Sequence, residues 1–279
     1  MDKKIVIDVG AAKGEFSRHV LLSYPNAVVF AVEPNISLHG NDLNMIKSEY
    51  DGRFFVHKYA LAEKSNTRPM YGLTQLKGQI GSLKKFNPNK VWNTYIESII
   101  DKSKLSEIVY VEVKSVNDFL RDIAIFKIDF LKIDTQGYDV VILEEFLKNS
   151  SVKCMVVEVN TVSNKSENIY EGDNNLTALS KIISKFDLKI LKIVPNWDFS
   201  ELNVFLALSE IEGIKILQQL KIDNNPVFVK GWNVSITSKL SEISAQNKLK
   251  KLAISFNRSF GCLKKLYLLM LKLFARVKN

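Results

Sequence analysis

Residues 5–14 read IVIDVGAAKG: a run of buried-strand residues up to Asp8, then a turn of small residues framed by Gly10 and Gly14. Glycine lets backbone N–H groups approach a ligand closely, and residues 15–24 read as a helix whose positive end faces the same crevice. Nineteen residues beyond Gly14, Glu33 ends a second apolar run, VVFAVEP. An acidic side chain there can accept hydrogen bonds from two ribose hydroxyls, so strand, turn and acid together predict a ligand containing a nucleoside.

Outward from this unit, strand-length apolar runs alternate with helix-period stretches through the first 210 residues. IVIDV, VVFAVE, FFVHKYA, VYVEV, DFLKID, CMVVEV, LKILKIV and NVFLAL read as strands. Helices are predicted over 15–24, 41–49, 116–121, 139–148 and 176–186. This order predicts an α/β fold with a doubly wound, mostly parallel sheet and ligands at the carboxyl ends of its strands, where Asp8, Glu33, Asp134 and Glu158 fall. Residues 63–107 hold Pro69, Gly72, Gly78, Gly81 and Pro88 with little periodicity, and read as a substrate-facing insertion in a domain spanning 1–210. Over 211–239 the pattern weakens into a linker or a hairpin pairing VFVK with NVSIT around Gly231 and Trp232.

Composition narrows the class. With 46% hydrophobic and 25% charged residues the chain is ordinary for a folded protein. Cys154 and Cys262 have no spacing suited to zinc or a redox pair, and the N-terminus MDKK enters a strand without the apolar run of a signal peptide, so a cytoplasmic protein is expected. The net charge of +9 is concentrated: residues 240–279 carry nine basic residues against Glu242 alone, which leaves about +1 for the rest. A broad phosphate-neutralising face on the body is therefore not expected, and nucleic acid is a poor partner for it.

The cofactor class follows by elimination. The chain has neither G-x-G-x-x-G at the first turn nor the Walker pattern, which counts against dinucleotides and triphosphate-wrapping loops. A nucleoside without a phosphate chain remains, namely S-adenosylmethionine, with Glu33 on the ribose, the methionine end over the Gly10 turn and Asp8 near its amine. The competing reading is a glycine turn that serves only to pack helix on sheet.

At this point the chain resembles the FkbM-type S-adenosylmethionine-dependent methyltransferases. The resemblance lies in Asp8-Val9-Gly10-Ala11-Ala12-Lys13-Gly14, in Glu33-Pro34-Asn35, in Leu131-Lys132-Ile133-Asp134-Thr135-Gln136-Gly137-Tyr138-Asp139 and in VVEVN, covering roughly residues 5–165. It implies a class I, Rossmann-like methyltransferase fold and a cofactor seat made of Asp8, Gly10, Ala11, Gly14, Glu33, Pro34, Asn35 and Ala60. Methylation of a hydroxyl on a sugar, glycan or natural product is also implied. Ala12 departs from the family's asparagine, and Thr135-Gln136 stands where an acid is common.

A methyl transfer needs an aligned nucleophile and is helped by a base. Asp134 is the first candidate, with Glu158 at the next strand end and Asp139 one step into the following helix. The same residues have plainer readings, Asp134 as a helix cap and Asp139 as a partner of the helix dipole. Alternatively the three hold a divalent metal that acidifies the hydroxyl. His19, His39 and His57 lack metal-binding spacing, and His57 reads as a core or rim residue. GQIGSLKKF, with Gly78, Gly81 and Ser82, is similar to a Gly-Ser element of the family before its central strand, and reads either as a contact with cofactor or substrate or as a glycine-rich turn without one. Trp92, Tyr95, Trp197 and Trp232 could stack on an acceptor or fill core.

The C-terminal segment is the second strong pattern. Leu249, Leu252, Phe256, Phe260, Leu263, Tyr267, Met270 and Phe274 recur at steps of three or four, with Lys251, Arg258, Lys265, Lys272 and Arg276 near the opposite face. This predicts a basic amphipathic helix over 240–279, too often charged to span a bilayer but suited through 248–278 to an anionic membrane surface. Docking on its own domain or on a second subunit would satisfy the same stripe. Three functions follow: a methyltransferase, with a small-molecule or lipid-linked glycan acceptor; a scaffold with a degenerate methyltransferase fold; or an RNA methyltransferase. Against the last, the aromatics of the tail fall on its apolar stripe, not among exposed lysines.

Overall fold

In the computed structural model, residues 2–74, 80–87, 105, 107–160, 170–195 and 201–229 are described. The chain divides into two compact units, 1–238 and 239–279, and the second lies outside the described residues. Along the first unit the elements are β1 (Lys4–Val9), α1 (Glu15–Ser23), β2 (Ala27–Val32), α2 (Ile36–Glu49), β3 (Phe54–His57), β4 (Ala60–Ala62), β5 (Asn66–Tyr71) and β6 (Ile108–Ser115). They continue as α3 (Val116–Ile123), β7 (Lys127–Ile133), α4 (Asp139–Asn149), β8 (Ser151–Asn160), α5 (Leu176–Lys185), β9 (Lys189–Pro195), β10 (Glu201–Ala207), α6 (Glu210–Gln219) and a single turn, α7 (Pro226–Val229).

Seven strands form one sheet in the order β3-β2-β1-β7-β8-β10-β9. Pairings from β3 through β8 are parallel, and β10 runs antiparallel to both β8 and β9. The chain winds outward from β1 through β2 and β3, then returns to start again at β7, so the topological switch point lies between β1 and β7. Period-two alternation serves two layers of helices. Val6, Phe130, Cys154 and Val156 join Phe16, Val20 and Leu21 of α1, Leu43 and Ile46 of α2, and Ile216 and Leu217 of α6 in one core. Ile7, Leu131, Met155 and Val157, one residue on, turn to the opposite face, where Phe119 of α3 meets Phe146 of α4 edge to face at 6.3 Å. Several helices start where the sequence supplies a cap: Ser115, Asn175 and Ser209 each accept a backbone N–H three residues on. The expected doubly wound, mostly parallel sheet is thus present.

Four expectations are corrected. The run VYVEV belongs to β6, which leaves the main sheet and forms a three-stranded one in the order β4-β6-β5. FFVHKYA breaks into β3 and β4, each in a different sheet. Part of the supposedly irregular insertion is β5, whose Pro69 is tolerated because β5 is an edge strand. Residues 211–229 are neither linker nor hairpin arm: α6 forms there, and Leu220, Ile222 and Phe228 enter the core with it. Gly213, which obscured the helical pattern, lets α6 approach the sheet, since a Cβ there would stand 2.6 Å from the Ala207 Cβ. Gly78, Trp92, Tyr95, Trp197, Trp232, the NVSIT arm and the tail all lie outside the described residues. Among the described residues no helix is long and apolar enough to cross a membrane.

Candidate active site

At the switch point the turn after β1 meets the end of β7. Gly10 sits at φ +76°, and a Cβ there would lie 1.8 Å from the Asp134 carbonyl oxygen, so the two strand ends touch backbone to backbone. Gly14, at φ +77°, lies under α2, where a Cβ would be 2.6 Å from the Ile46 Cδ1. Helix packing therefore explains Gly14, and contact between the two strand ends explains Gly10. Between them Ala12 takes φ +46°, a conformation that costs a residue with a Cβ about 1 kcal/mol. That conformation aims its N–H at Glu33 Oε2, 2.8 Å away.

Glu33 fastens the turn to the β2–α2 junction. Its other oxygen accepts the Asn35 N–H at 2.7 Å, and the residue is buried. Burial pushes its carboxyl above the ordinary range, against the pull of the Asn35 and Ala12 amides. Each carboxylate oxygen keeps a second lone pair for a hydroxyl donor, so the pair of acceptors fits a ribose. Asn35 donates from its side chain to the Leu73 carbonyl at 3.2 Å, which ties the insertion to the same corner. Ala11 and Ala60 are buried and Pro34 is half-buried.

Asp8 does not present its carboxylate to the crevice, as the expected contact with the cofactor amine requires. It is fully buried, accepts from Ser17 Oγ of α1 at 2.7 Å, and pairs with Lys132 Nζ at 3.2 Å from its Oδ1. Strand alternation turns Asp8 toward α1, the same face as Val6. Lys132 Nζ also donates to the Gly10 carbonyl at 3.2 Å and stands 3.4 Å from Asp134 Oδ2. Burial opposes charge on this lysine, yet Asp8 and Asp134 outweigh it and hold the ammonium above the usual lysine range.

Beyond Lys132 the site is organised by Gln136. Held at φ +57°, it donates from Nε2 to Asp134 Oδ1 at 2.9 Å and to Glu158 Oε2 at 3.1 Å. Its Oε1 accepts from the Tyr170 hydroxyl at 2.6 Å, and its backbone carbonyl accepts from Ser82 Oγ. One amide thus spaces two carboxylates that would otherwise repel each other. Asp134 keeps 32% of its side chain exposed and does not cap α4. Glu158 is buried, and desolvation, with Glu201 and Asp134 adding to it, raises its carboxyl well above the ordinary range. The pair therefore combines a partly exposed carboxyl group with a buried one whose charged form desolvation disfavours.

Asp139 has a different job from the catalytic one expected of it. It is fully buried, with Oδ1 accepting the Thr135 N–H at 2.7 Å and Oδ2 accepting the Gly137 N–H and Asn174 Nδ2, both at 3.0 Å. These bonds shape the loop from Asp134 to α4. Burial and the neighbouring Asp134 push its carboxyl up to about 6, although the two loop amides oppose the shift. With both oxygens turned to N–H donors, Asp139 is lost as a ligand for the divalent-metal alternative. Among the described residues no group of acids, histidines and cysteines is arranged to hold a metal ion.

Several contributors escaped the sequence reading: Lys132, Gln136, Tyr170 and Glu201, the last buried at the start of β10. The insertion grips the same loop twice. Ser82 holds Gln136, and the Tyr138 hydroxyl donates to Glu63 at 2.6 Å while accepting from Arg68 of β5 at 2.8 Å. Ser82 is itself fully buried, so its part in the Gly-Ser element is to brace the loop. The histidines stand apart from Asp134: His19 faces the Lys221 carbonyl, His39 is buried in α2, and His57 pairs with the Tyr59 hydroxyl at 3.1 Å.

Among solved structures the chain is similar to an O-methyltransferase family 2 protein from Planctomyces limnophilus in complex with apigenin, at 10% identity over 74% of this chain and 50% of that one, TM-score 0.38. It is also similar to M. capricolum TrmK in complex with S-adenosyl-homocysteine, at 12% identity over 92% of both chains, TM-score 0.36. A third is the O-methyltransferase NcsB1 from neocarzinostatin biosynthesis in complex with S-adenosylmethionine and 2-hydroxy-5-methyl naphthoic acid, at 10% identity over 73% of this chain and 48% of that one, TM-score 0.36. No curated protein matches the chain. The model of the methyltransferase FkbM domain matches residues 8–207, from the aspartate before the glycine turn to the end of β10, and the chain therefore belongs to the FkbM methyltransferase family.

Proposed function

We propose that this chain transfers the methyl group of S-adenosylmethionine to a hydroxyl oxygen of a sugar, glycan or natural-product acceptor. The cofactor supplies an electrophilic methyl group already activated by positive sulfur. Glu33 would accept hydrogen bonds from the ribose hydroxyls, and the turn from Gly10 to Gly14 would seat the methionine end. Asp134 carries the reading: a partly exposed carboxylate beside the Gly10 turn, oriented by Lys132 and Gln136. It would take the proton from the acceptor hydroxyl as oxygen attacks. Asp134→Asn, which keeps the shape and the Gln136 contact, is expected to lower methyl transfer about 100-fold or more while S-adenosylhomocysteine affinity changes less than about threefold. Full turnover by the variant with labelled cofactor and a glycan acceptor would remove Asp134 as the base.

The scaffold alternative was motivated by Ala12 and by Thr135-Gln136. Both places are engaged: the Ala12 N–H orients Glu33, and Gln136 spaces the two carboxylates. That favours a working enzyme. We further propose that the basic stripe of 248–278 holds the enzyme on an anionic membrane surface of the cytoplasm, near a lipid-linked glycan acceptor. Its support is the sequence pattern, nine basic residues and no acid beside an apolar row. Flotation of the full chain with anionic but not with neutral vesicles is the expected outcome; no flotation with either would end this part of the proposal.

A further inference from the structure

The ammonium of Lys132 is enclosed, its side chain 5% exposed, and the proposed methyl transfer gives it no direct part. It donates a hydrogen bond to the Gly10 carbonyl in the turn at 3.2 Å and forms ion pairs with Asp8 within β1 at 3.2 Å and Asp134 beyond β7 at 3.4 Å, three separate pieces of the crevice. The Phe16 ring of α1 stands 6.0 Å away on the same side. Asp8 is fully buried, with Ser17 as its other polar partner, so Lys132 balances a charge that solvent does not reach. The same ammonium restrains the carbonyl of Gly10, whose residue is in contact with the Asp134 backbone.

We propose that Lys132 is a positioning residue that sets both the shape and the charge of the cofactor seat, and so the seat's preference between a sulfonium and a thioether. This rests on the S-adenosylmethionine reading. S-adenosylmethionine and S-adenosylhomocysteine differ by one methyl group and one positive charge. Asp8 and Asp134 carry two negative charges and Lys132 returns one positive. Without Lys132 the seat is one unit more negative, and the sulfonium gains over the thioether. A unit charge acting over about 10 Å at an effective dielectric of about 20 shifts an equilibrium by about tenfold.

Two variants separate charge from shape. Lys132→Met fills the volume but removes the charge. Lys132→Met combined with Asp8→Asn restores the original net charge and still lacks the bond to the Gly10 carbonyl. Calorimetric titration with each cofactor form is expected to give the single variant a ratio of S-adenosylmethionine to S-adenosylhomocysteine affinity raised about fivefold to tenfold. The double variant is expected to return that ratio to within about twofold of the parent, with both ligands weakened about threefold or more by the lost hydrogen bond. Parent-like ratios in a folded single variant would overturn the charge half of the proposal. Should the single variant not fold, the double variant decides alone, because parent-like affinities for both ligands would overturn the positioning role. If the parent itself binds neither ligand, the cofactor reading fails and takes this proposal with it, an outcome distinct from parent-like ratios in the variants.

Discussion

Gly10→Ala tests the contact on which the whole crevice is built. The perturbation is one methyl group placed 1.8 Å from the Asp134 carbonyl oxygen, at a residue held at φ +76°. Left-handed strain alone costs about 1 kcal/mol. Restoring an ordinary carbon–oxygen contact of a little over 3 Å would part the strand ends by more than 1 Å. That movement stretches the Asp134 N–H bond to the Val9 carbonyl, now 3.0 Å, and the Lys132 bond to the Gly10 carbonyl, now 3.2 Å. Two such bonds contribute about 1 kcal/mol each, more for the charged donor, so the total loss is about 3–5 kcal/mol. Gly52 is the matched control, because it has φ +72° with nothing within 4 Å of an added Cβ. Gly52→Ala should therefore lose only the strain, about 1 kcal/mol. Urea unfolding of both variants measures the difference directly. Equal losses would refute the claim that close approach, and not backbone conformation alone, demands glycine at position 10.

Two further outcomes follow from the same geometry. Glu33→Gln places an amide nitrogen against either the Ala12 or the Asn35 N–H, so S-adenosylhomocysteine affinity should fall about tenfold or more by calorimetry, and an unchanged affinity would count against Glu33 as the ribose acceptor. Asp139, raised from 3.8 to about 6, binds its proton more tightly folded than unfolded, so its contribution to stability is greatest below pH 4 and is lost as pH rises through 6. That loss is about 3 kcal/mol. Asp139→Asn removes the titration, and the gap between parent and variant unfolding free energies should change over that window; parallel curves would contradict the assignment.

The legible parts of this protein are those whose physics is local. The strand, glycine turn and helix of residues 4–23 and the acid ending β2 are written within a few dozen positions, and the structure brings Glu33 onto the turn through Ala12. Lys132 was in plain view inside LKID, yet its meaning depends on Asp8 and Gly10, more than 120 residues away. Gln136 reads as a departure from a family pattern until Glu158 and Tyr170 stand beside it. Asp139 reads as a catalytic candidate because sequence records its acidity but not the three N–H donors that enclose it. Strand β5 escaped notice because its proline and polar residues suit an edge with little burial, and α6 because Gly213 interrupts its apolar stripe for the sake of close packing.

The central claim is that the crevice between β1 and β7 seats S-adenosylmethionine. Calorimetric titration of the full chain with that cofactor tests it most directly. Saturable binding at one site per chain, lost in Glu33→Ala protein that remains folded, is the predicted result. No binding by folded parent protein, or binding that Glu33→Ala leaves intact, would contradict it.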